Sequence, residues 1–228
     1  MKRTKYPRTM NFPWSDSNSS DDVWWKNVSA FEGKEIVMTE KLDGECTTIY
    51  PDGHVHARSL DSNHHPSRSW IKALAAQICR DIPEGYRICG ENLYAYHSIF
   101  YTELPSYFFV YGIYNSNICI SWDETTELCE LLELETVPVI YKGIWNEKVP
   151  ALWKEKGKFP TFSSDVEYPT FPEDFKECSA EGYVIRLAEE FPYSDFGKVC
   201  AKYVRPNHVQ TDQNWMSRQV ISNQITEK

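Results

Sequence analysis

Short β-rich runs recur along most of the chain, and this pattern restricts the fold more than any other feature. The runs are five to nine residues long, and Pro51-Asp52-Gly53 places turn residues between two of them. Short strands joined by turns pair as antiparallel sheets. We therefore predict an α+β domain built around antiparallel sheets. The runs occupy residues 35–42, 46–50, 54–58, 86–94, 107–115, 137–143, 181–186 and 198–205.

Two helices are predicted to flank these sheets. The first begins after Pro66, where Trp70, Leu74 and Ile78 recur at four-residue spacing. The second covers residues 122–135, where acidic residues in the first turn favour the positive end of the helix dipole.

The chain has no clear linker, and we predict one domain over residues 1–228. Prolines and a Ser/Asn/Asp cluster predict an irregular arm over residues 1–22, whereas residues 206–228 are predicted to form a terminal helix. About 23 residues follow Arg205. This length is too short for a five-stranded barrel, so no appended oligonucleotide-binding domain is expected.

The apolar runs are too short to cross a membrane. The longest, Tyr107 to Tyr114, has eight residues, against about 20 for a spanning helix. We therefore expect a soluble, cytoplasmic protein. Seven cysteines without a Cys-x-x-Cys pair predict free thiols rather than a disulfide framework or a cysteine zinc site.

The formal net charge of −9 argues against nonspecific binding of nucleic acid by the whole surface. The charge is uneven, because residues 123–135 hold six acidic residues and no basic one. Basic residues cluster near both ends of the sequence, so the net charge does not exclude a local basic surface. They are Lys2, Arg3, Lys5 and Arg8 at the start, and Lys198, Lys202, Arg205 and His208 near the end.

A set of short motifs indicates the chemistry. Lys41-Leu42-Asp43-Gly44 is a weak signal alone, but five further motifs follow it in order. With this set the sequence resembles the covalent nucleotidyltransferases, which include ATP-dependent ligases and mRNA capping enzymes. It looks most like the RNA ligases of phages and bacteria, from about Thr39 to Trp215. The later motifs are Ala57-Arg58-Ser59, Gly90-Glu91-Asn92, Phe108 to Gly112, Glu181 to Arg186, and Lys202 before Arg205.

The resemblance implies an ATP-grasp-like nucleotidyltransferase (adenylation) domain that uses ATP. A lysine attacks the α-phosphorus of a nucleotide only as the neutral amine, and a nearby cation lowers its pKa. Lys41 is thus predicted to form lysyl–AMP, with its pKa lowered by Lys202 and Mg²⁺. Glu181 is predicted to hold Mg²⁺ (or Mn²⁺), and Asp43 to assist through a metal-bound water.

The nucleotide contacts follow from the same resemblance. It assigns the ribose to Arg58 and Glu91, and the α-phosphate to Lys202. An aromatic side chain of the third β-rich motif stacks on the base. Strand alternation places Phe109 and Tyr111 on one face, and we select Phe109.

One position departs from the family pattern. The last motif usually has two lysines separated by one residue, and here Val204 occupies the second position. Either Lys202 acts alone, or Lys198 or Arg205 supplies the second charge. If the segment is a regular strand, Lys198 and Lys202 share a face and Arg205 points away.

The histidines are weaker candidates. His54, His56 and the pair His64-His65 are better explained as polar loop residues near a nucleic-acid entrance than as a zinc site. His97 and His208 are candidates for substrate contacts.

The predicted function is an ATP-dependent RNA ligase that moves AMP from Lys41 to a 5′-phosphate and then joins this end to a 3′-hydroxyl. The alternatives are a DNA ligase, a capping-type enzyme, and a non-catalytic module that binds RNA ends. The sequence does not decide whether the substrate is RNA, DNA or a hybrid. It also does not decide whether an end-healing partner protein takes part.

Overall fold

The computed structural model describes residues 2–15, 23–62, 64–163, 176–206 and 219–226. Within these residues lie three helices, α1 (Ser69–Ile78), α2 (Trp122–Leu131) and α3 (Phe196–Val199). The strands are β1 (Met10–Asn11), β2 (Glu35–Lys41), β3 (Glu45–Ile49), β4 (Val55–Ala57), β5 (Tyr86–Asn92), β6 (Phe100–Tyr101), β7 (Phe108–Asn115), β8 (Ile118–Cys119), β9 (Glu135–Thr136), β10 (Val139–Ile144), β11 (Thr161–Ser163), β12 (Lys176–Glu177), β13 (Gly182–Leu187), β14 (Phe191–Pro192) and β15 (Cys200–Val204).

The strands form two main sheets and one small sheet. The five-stranded sheet has the order β1-β15-β13-β2-β10. The seven-stranded sheet has the order β14-β8-β7-β5-β3-β4, with β9 beside β7, and the small sheet is β12-β11-β6. Among the described strands, the pairs are antiparallel except β1–β15 and β7–β9. The predicted α+β class is confirmed, and each of the eight predicted strands is present.

The two predicted helices cover the outer face of the seven-stranded sheet. Helix α1 buries Ile71 and Ala75 against Ile88 and Phe108 of that sheet. Burial of each of the larger side chains, Ile71, Ile88 and Phe108, contributes about 1.5–3 kcal/mol. Helix α2 begins at a capping box in which Ser121 and Glu124 bond each other's backbone N–H.

Helix α2 ends four residues before the predicted boundary at Glu135. Glu133 has a φ of 53°, and the N–H of Leu134 donates to the carbonyl of Cys129. A residue in the left-handed region ends a helix in this way, and the chain enters β9 directly afterwards.

The prediction of an irregular N-terminal arm is wrong for residues 10–12. Strand β1 pairs in parallel with β15, and Phe12 is fully buried with Trp25, Phe31 and Trp145 on the outer face of the five-stranded sheet. Burial of this aromatic cluster outweighs the local preference for irregular structure. Residues 16–22 of the predicted arm lie outside the described residues.

The predicted terminal helix is wrong for residues 219–226, and residues 207–218, including His208, lie outside the described residues. Residues 219–226 are extended, with bridges from Ser222 to Ala95 and from Ile225 to Leu104. The buried side chain of Asn223 accepts from the N–H of Tyr101 and donates to the carbonyl of Leu93. Hydrogen bonds from this segment to other parts of the same chain take the place of the hydrogen bonds within a helix.

Within the described residues, no helix has the length and apolar character needed to cross a membrane. All seven cysteines are free thiols, as predicted, and four of them are buried.

Candidate active site

The inner faces of the two large sheets enclose a cavity of about 940 Å³. Strand β2 ends at this cavity with Lys41, and β13 and β15 lie beside it in the same sheet. Strands β3, β5 and β7 of the other sheet form the opposite wall. Residues that line the cavity include Thr39, Lys41, Cys46, Arg58, Glu91, His97, Tyr111, Glu181, Val184, Arg186, Lys202 and Val204.

Lys41 forms an ion pair with Glu181. Its Nζ lies 2.7 Å from Oε2 of Glu181, and the two side chains are 24% and 6% exposed. Burial alone would lower the pKa of Lys41, but Glu181, Glu91 and Asp43 together raise it well above its usual value. In this arrangement carboxyl groups raise the pKa of Lys41, and the lowering by Lys202 together with Mg²⁺ stays a prediction.

The sheet register brings these two residues together. Gly182 pairs with Lys41 on one side and with Val204 on the other, so Glu181 stands at the end of β13 beside the amine. Gly182 has a φ of +158°, and a Cβ there would overlap the carbonyl of Tyr203. Glycine at this position allows the close approach of strands that sets the register.

Glu91 reaches the same point from the opposite sheet. Its Oε1 accepts a hydrogen bond of 3.1 Å from the N–H of Gly44. A Cβ on Gly44 would lie 2.6 Å from the carbonyl oxygen of Asn92, so only glycine permits this approach of the two chain segments. Burial, followed by the charges of Glu181 and Asp43 and opposed by Lys41, raises the pKa of Glu91 to about 8. Glu91 is thus protonated at neutral pH.

The carboxylate of Asp43 is bonded to the segment at residues 98–99. Its Oδ2 accepts hydrogen bonds from the N–H and Oγ of Ser98 and from the N–H of Ile99, at 2.6–2.8 Å. Asp43 is absent from the cavity lining, whereas its neighbours Leu42 and Gly44 are part of it. These donors hold Oδ2 at residues 98–99, while Asp43 stays close enough to Lys41 to raise its pKa, and the assistance of Asp43 through a metal-bound water stays a prediction. The backbone N–H of Asp43 also donates a hydrogen bond to the phenol oxygen of Tyr101.

His97 lies near this carboxylate and lines the cavity. Burial lowers its pKa, against the opposing charges of Asp43 and Glu45. Its presence in the cavity agrees with its selection as a candidate contact.

The donor set suits a metal that takes few protein ligands. No group of three or more His, Cys, Asp or Glu side chains in the described part of the chain is arranged to hold a metal ion. Glu181 nevertheless presents a carboxylate to the cavity. Mg²⁺ and Mn²⁺ accept one or two carboxylates together with substrate phosphates and waters. The residues therefore fit a metal that arrives with a nucleotide, with Glu181 as the protein ligand.

Two of the predicted cations line the cavity, and two others do not. Arg58 and Lys202 lie on its wall. Lys198 lies on α3 rather than on a strand, and its exposed side chain pairs with Asp195 at 2.7 Å. The assignment of Lys198 to the face of Lys202 is therefore wrong, because the regular alternation of a strand begins only at Cys200. Arg205 donates to the carbonyls of Ala180 and Ser179, outside the cavity lining.

Of the two candidate aromatic side chains on β7, Tyr111 lines the cavity and Phe109 does not. Both rings lie on the predicted common face, but Phe109 is 1% exposed and packs against Phe159 at 5.4 Å between ring centroids. Tyr111 lines the cavity, and its hydroxyl contacts Sγ of Cys46 at 3.0 Å. Val184 lies across from it on β13 and also lines the cavity. The selection of Phe109 is wrong, because Phe159 covers it.

The sequence prediction missed residues 6–9, which also line the cavity. Basic residues near the start of the chain were the available signal. The parallel pairing of β1 with β15, which brings this segment to the cavity, joins residues about 190 positions apart and has no local signature.

The family model for RNA ligase matches residues 34–204. A search of curated proteins found no match.

Three solved structures are examples of proteins to which this chain is similar. A Naegleria gruberi RNA ligase variant with ATP and Mn is 16% identical and has a TM-score of 0.45, covering 78% of this chain and 52% of that one. The same ligase with PPi is 16% identical with a TM-score of 0.46, covering 78% and 51%. An archaeal ATP-dependent RNA ligase is 14% identical with a TM-score of 0.49, covering 88% and 48%. The chain thus spans about half the length of these proteins.

Proposed function

Because the chain belongs to the RNA ligase family, we propose that it is an ATP-dependent RNA ligase and that its residues form one adenylation domain of the nucleotidyltransferase fold. The observation that carries the proposal is the position of Lys41. This lysine ends a strand inside a cavity large enough for a nucleotide, with one carboxyl group from each sheet beside its amine.

Lys41 would act as the nucleophile. Its Nζ forms a bond to the α-phosphorus of ATP, while the bond from this phosphorus to the bridging oxygen breaks and pyrophosphate leaves with the electron pair. The ammonium loses one proton to solvent before the attack and a second as the lysyl–AMP phosphoramidate forms, and the product keeps one N–H. The ammonium must therefore give up the proton that its ion pair with Glu181 stabilises.

Glu181 would hold the divalent metal, Mg²⁺ or Mn²⁺. When bound, the metal supplies positive charge that offsets the phosphate charge and favours the neutral lysine. A Glu181 carboxylate that held the metal would no longer neutralise the ammonium of Lys41, which would then lose its closest anionic partner. One carboxylate thus serves the resting ion pair and the reactive state.

The other wall residues would orient the nucleotide. Tyr111 would stack on one face of the base and Val184 would pack on the other. Glu91, protonated at neutral pH, can donate a hydrogen bond to a ribose hydroxyl. Arg58 would contact the ribose, and Lys202 the α-phosphate, where it stabilises charge during transfer.

Two further steps complete the reaction. A 5′-phosphate oxygen of RNA attacks the phosphorus of lysyl–AMP, the bond to Nζ breaks, and the amine recovers a proton. A 3′-hydroxyl then attacks the 5′-phosphorus of the adenylated RNA, and AMP leaves.

Covalent labelling tests the proposal. The protein is incubated with α-labelled ATP and Mg²⁺, denatured, and examined for label on the chain. We expect label on the unaltered protein and on Lys72→Ala, which changes an exposed lysine of α1. Label should be lost from Lys41→Ala and from Lys41→Arg, which keeps the positive charge beside Glu181.

The substrates separate the alternatives. Label from GTP rather than ATP would indicate a capping-type enzyme, and sealing of DNA but not RNA would indicate a DNA ligase. RNA binding without label would indicate a non-catalytic module. Label that persists on Lys41→Ala would remove Lys41 from the mechanism.

A further inference from the structure

The N-terminal arm, residues 2–15, crosses from one large sheet to the other beside the cavity. On the side of the seven-stranded sheet, the N–H of Thr4 donates to the hydroxyl of Tyr50 at 2.9 Å. The hydroxyl of Tyr193 donates to the carbonyl of Lys5, also at 2.9 Å. On the other side, β1 pairs with β15. The four residues between these anchors, Tyr6 to Thr9, line the cavity.

Aromatic packing fixes the middle of the arm. The ring of Tyr6 lies 4.7 Å from the ring of Tyr111 and 5.1 Å from that of Phe196, measured between centroids. Burial raises the pKa of Tyr6 well above its usual value, so its hydroxyl stays neutral. Arg8 lies two residues after Tyr6 on the same segment. Because this segment is anchored at both ends and Tyr6 is packed in its middle, the position of Arg8 is restricted.

The cavity wall carries side chains of both signs. Carboxyl groups lie around Lys41, at Glu181 and Glu91. The arginine of the arm joins two other cations on the wall, which come from separate parts of the chain: Arg58 after β4 and Lys202 on β15. A nucleotide triphosphate whose α-phosphorus meets Lys41 must direct its β- and γ-phosphates away from the carboxylates. Because Arg58 is assigned to the ribose, Arg8 and Lys202 are the cations that match the phosphates.

The arm also lies next to the strand in which a charge is missing. Val204 occupies the position where the family pattern has a second lysine, and it lines the cavity with Lys202. Residue Asn11 of β1 pairs directly with Lys202, so the arm runs alongside β15. In this parallel register the residues before Asn11 run toward the start of β15, so Arg8 approaches Lys202 from the side opposite Val204 and can act as a second cation from there.

We propose that Arg8 binds the β- and γ-phosphates of ATP and the pyrophosphate that leaves, acting with Lys202 in place of a second lysine on β15. The planar guanidinium can donate two parallel hydrogen bonds to phosphate oxygens, which a single amine cannot. This inference rests on the proposed function and extends it to the arm.

The test compares Arg8→Ala and Arg8→Lys with Lys5→Ala, which removes an exposed charge of the same arm outside the cavity lining. Two reactions are measured: single-turnover labelling of the protein as a function of ATP concentration, and sealing of RNA that already carries AMP. We expect Arg8→Ala to raise the ATP concentration for half-maximal labelling by about ten- to a hundred-fold. Arg8→Lys should recover part of this loss. Lys5→Ala should match the unaltered protein, and all three variants should seal adenylated RNA at the unaltered rate.

Three results would overturn the inference. Unchanged labelling by Arg8→Ala would show that Arg8 does not contact the triphosphate. Normal labelling with slow sealing of adenylated RNA would assign Arg8 to an RNA phosphate instead. Calorimetric binding of inorganic pyrophosphate requires no catalysis and separates this inference from the proposed function. If the unaltered protein binds pyrophosphate and Arg8→Ala binds it ten-fold more weakly, the assignment of Arg8 to pyrophosphate is supported even where labelling fails. Equal binding by both proteins contradicts it.

Discussion

The ammonium of Lys41 and the carboxylate of Glu181 lie 2.7 Å apart although 140 residues separate them in the sequence. Each stands at the end of a strand, and β2 and β13 are neighbours in one sheet. The proposed nucleophile is therefore stored as a paired cation, a form that cannot attack phosphorus. Loss of this proton is a requirement that the ligand-free geometry places on the first chemical step.

This ion pair predicts a pH dependence of lysine labelling. Because the raised pKa keeps the amine protonated near neutrality, each unit of pH multiplies the neutral fraction by about ten. We expect the single-turnover rate at saturating ATP and metal to rise from pH 6.5 to 8.5. Sealing of RNA that already carries AMP does not use the free amine and serves as the control. A labelling rate that stays flat over this range while chemistry limits it would contradict the prediction.

Glu91 predicts that the protein loses stability as pH rises. The folded state holds the proton of this carboxyl up to a pKa of about 8, whereas the unfolded chain releases it near 4.5. The folded protein thus binds more protons between these values, and the free energy of unfolding falls by up to about 1.4 kcal/mol per pH unit. Glu91→Gln should remove this slope in denaturant titrations at pH 5.5, 6.5 and 7.5. Parallel slopes in the two proteins would show that Glu91 is ionised in the fold.

Tyr111 and Phe109 should respond differently to truncation. Stacking of a base on an aromatic ring is worth about 1–3 kcal/mol, so Tyr111→Ala should weaken ATP binding by roughly ten- to a hundred-fold. Tyr111→Phe keeps the ring and should bind ATP nearly normally. Phe109→Ala should instead destabilise the fold by about 3–5 kcal/mol and leave the affinity of the folded fraction unchanged. ATP titration and denaturant unfolding of each variant distinguish these outcomes. Weak ATP binding by folded Phe109→Ala alone would restore the original selection.

Local sequence predicted much of the sheet framework and part of the site. The β-rich runs and turn residues specified the strands, because short-range alternation and Pro-Asp-Gly chemistry act within a few residues. The motifs also selected Lys41, Glu91 and Glu181, which the fold brings together around one amine. These residues stand at or beside strand ends, where side chains meet across two sheets.

Features that depend on distant contacts could not be predicted in this way. The depth of Phe109 is set by Phe159, fifty residues later, rather than by its own strand. The position of the Asp43 carboxylate is set by donors at Ser98 and Ile99. The N-terminal arm reads as irregular because its two-residue strand is stabilised only by pairing with β15 at the other end of the sequence.

Asn223 should be important for stability although it lies near the end of the chain. Its buried amide bonds the N–H of Tyr101 and the carbonyl of Leu93, and Tyr101 in turn contacts the backbone of Asp43. Asn223→Ala leaves both backbone groups unpaired, and we expect a loss of roughly 3 kcal/mol in the free energy of unfolding. Gln224→Ala, which truncates an exposed neighbour, should change stability by less than about 0.5 kcal/mol. Equal effects of the two substitutions in denaturant unfolding would show that the terminal segment does not stabilise the site.

The ion pair between Arg68 and Glu45 should behave as a buried pair. Both side chains are at most 10% exposed, and Nε of Arg68 donates to Oε2 of Glu45 at 2.7 Å while a second nitrogen contacts Oε1. Arg68 precedes α1 and Glu45 begins β3, so the pair joins a helix to the cavity wall. Arg68→Ala leaves a buried carboxylate without its partner, and we expect a loss of about 3–5 kcal/mol in denaturant unfolding. Removing both partners in Glu45→Ala/Arg68→Ala should cost less than the sum of the single substitutions, because the unpaired charge disappears with them. Additive losses would show that the two charges do not interact in the fold.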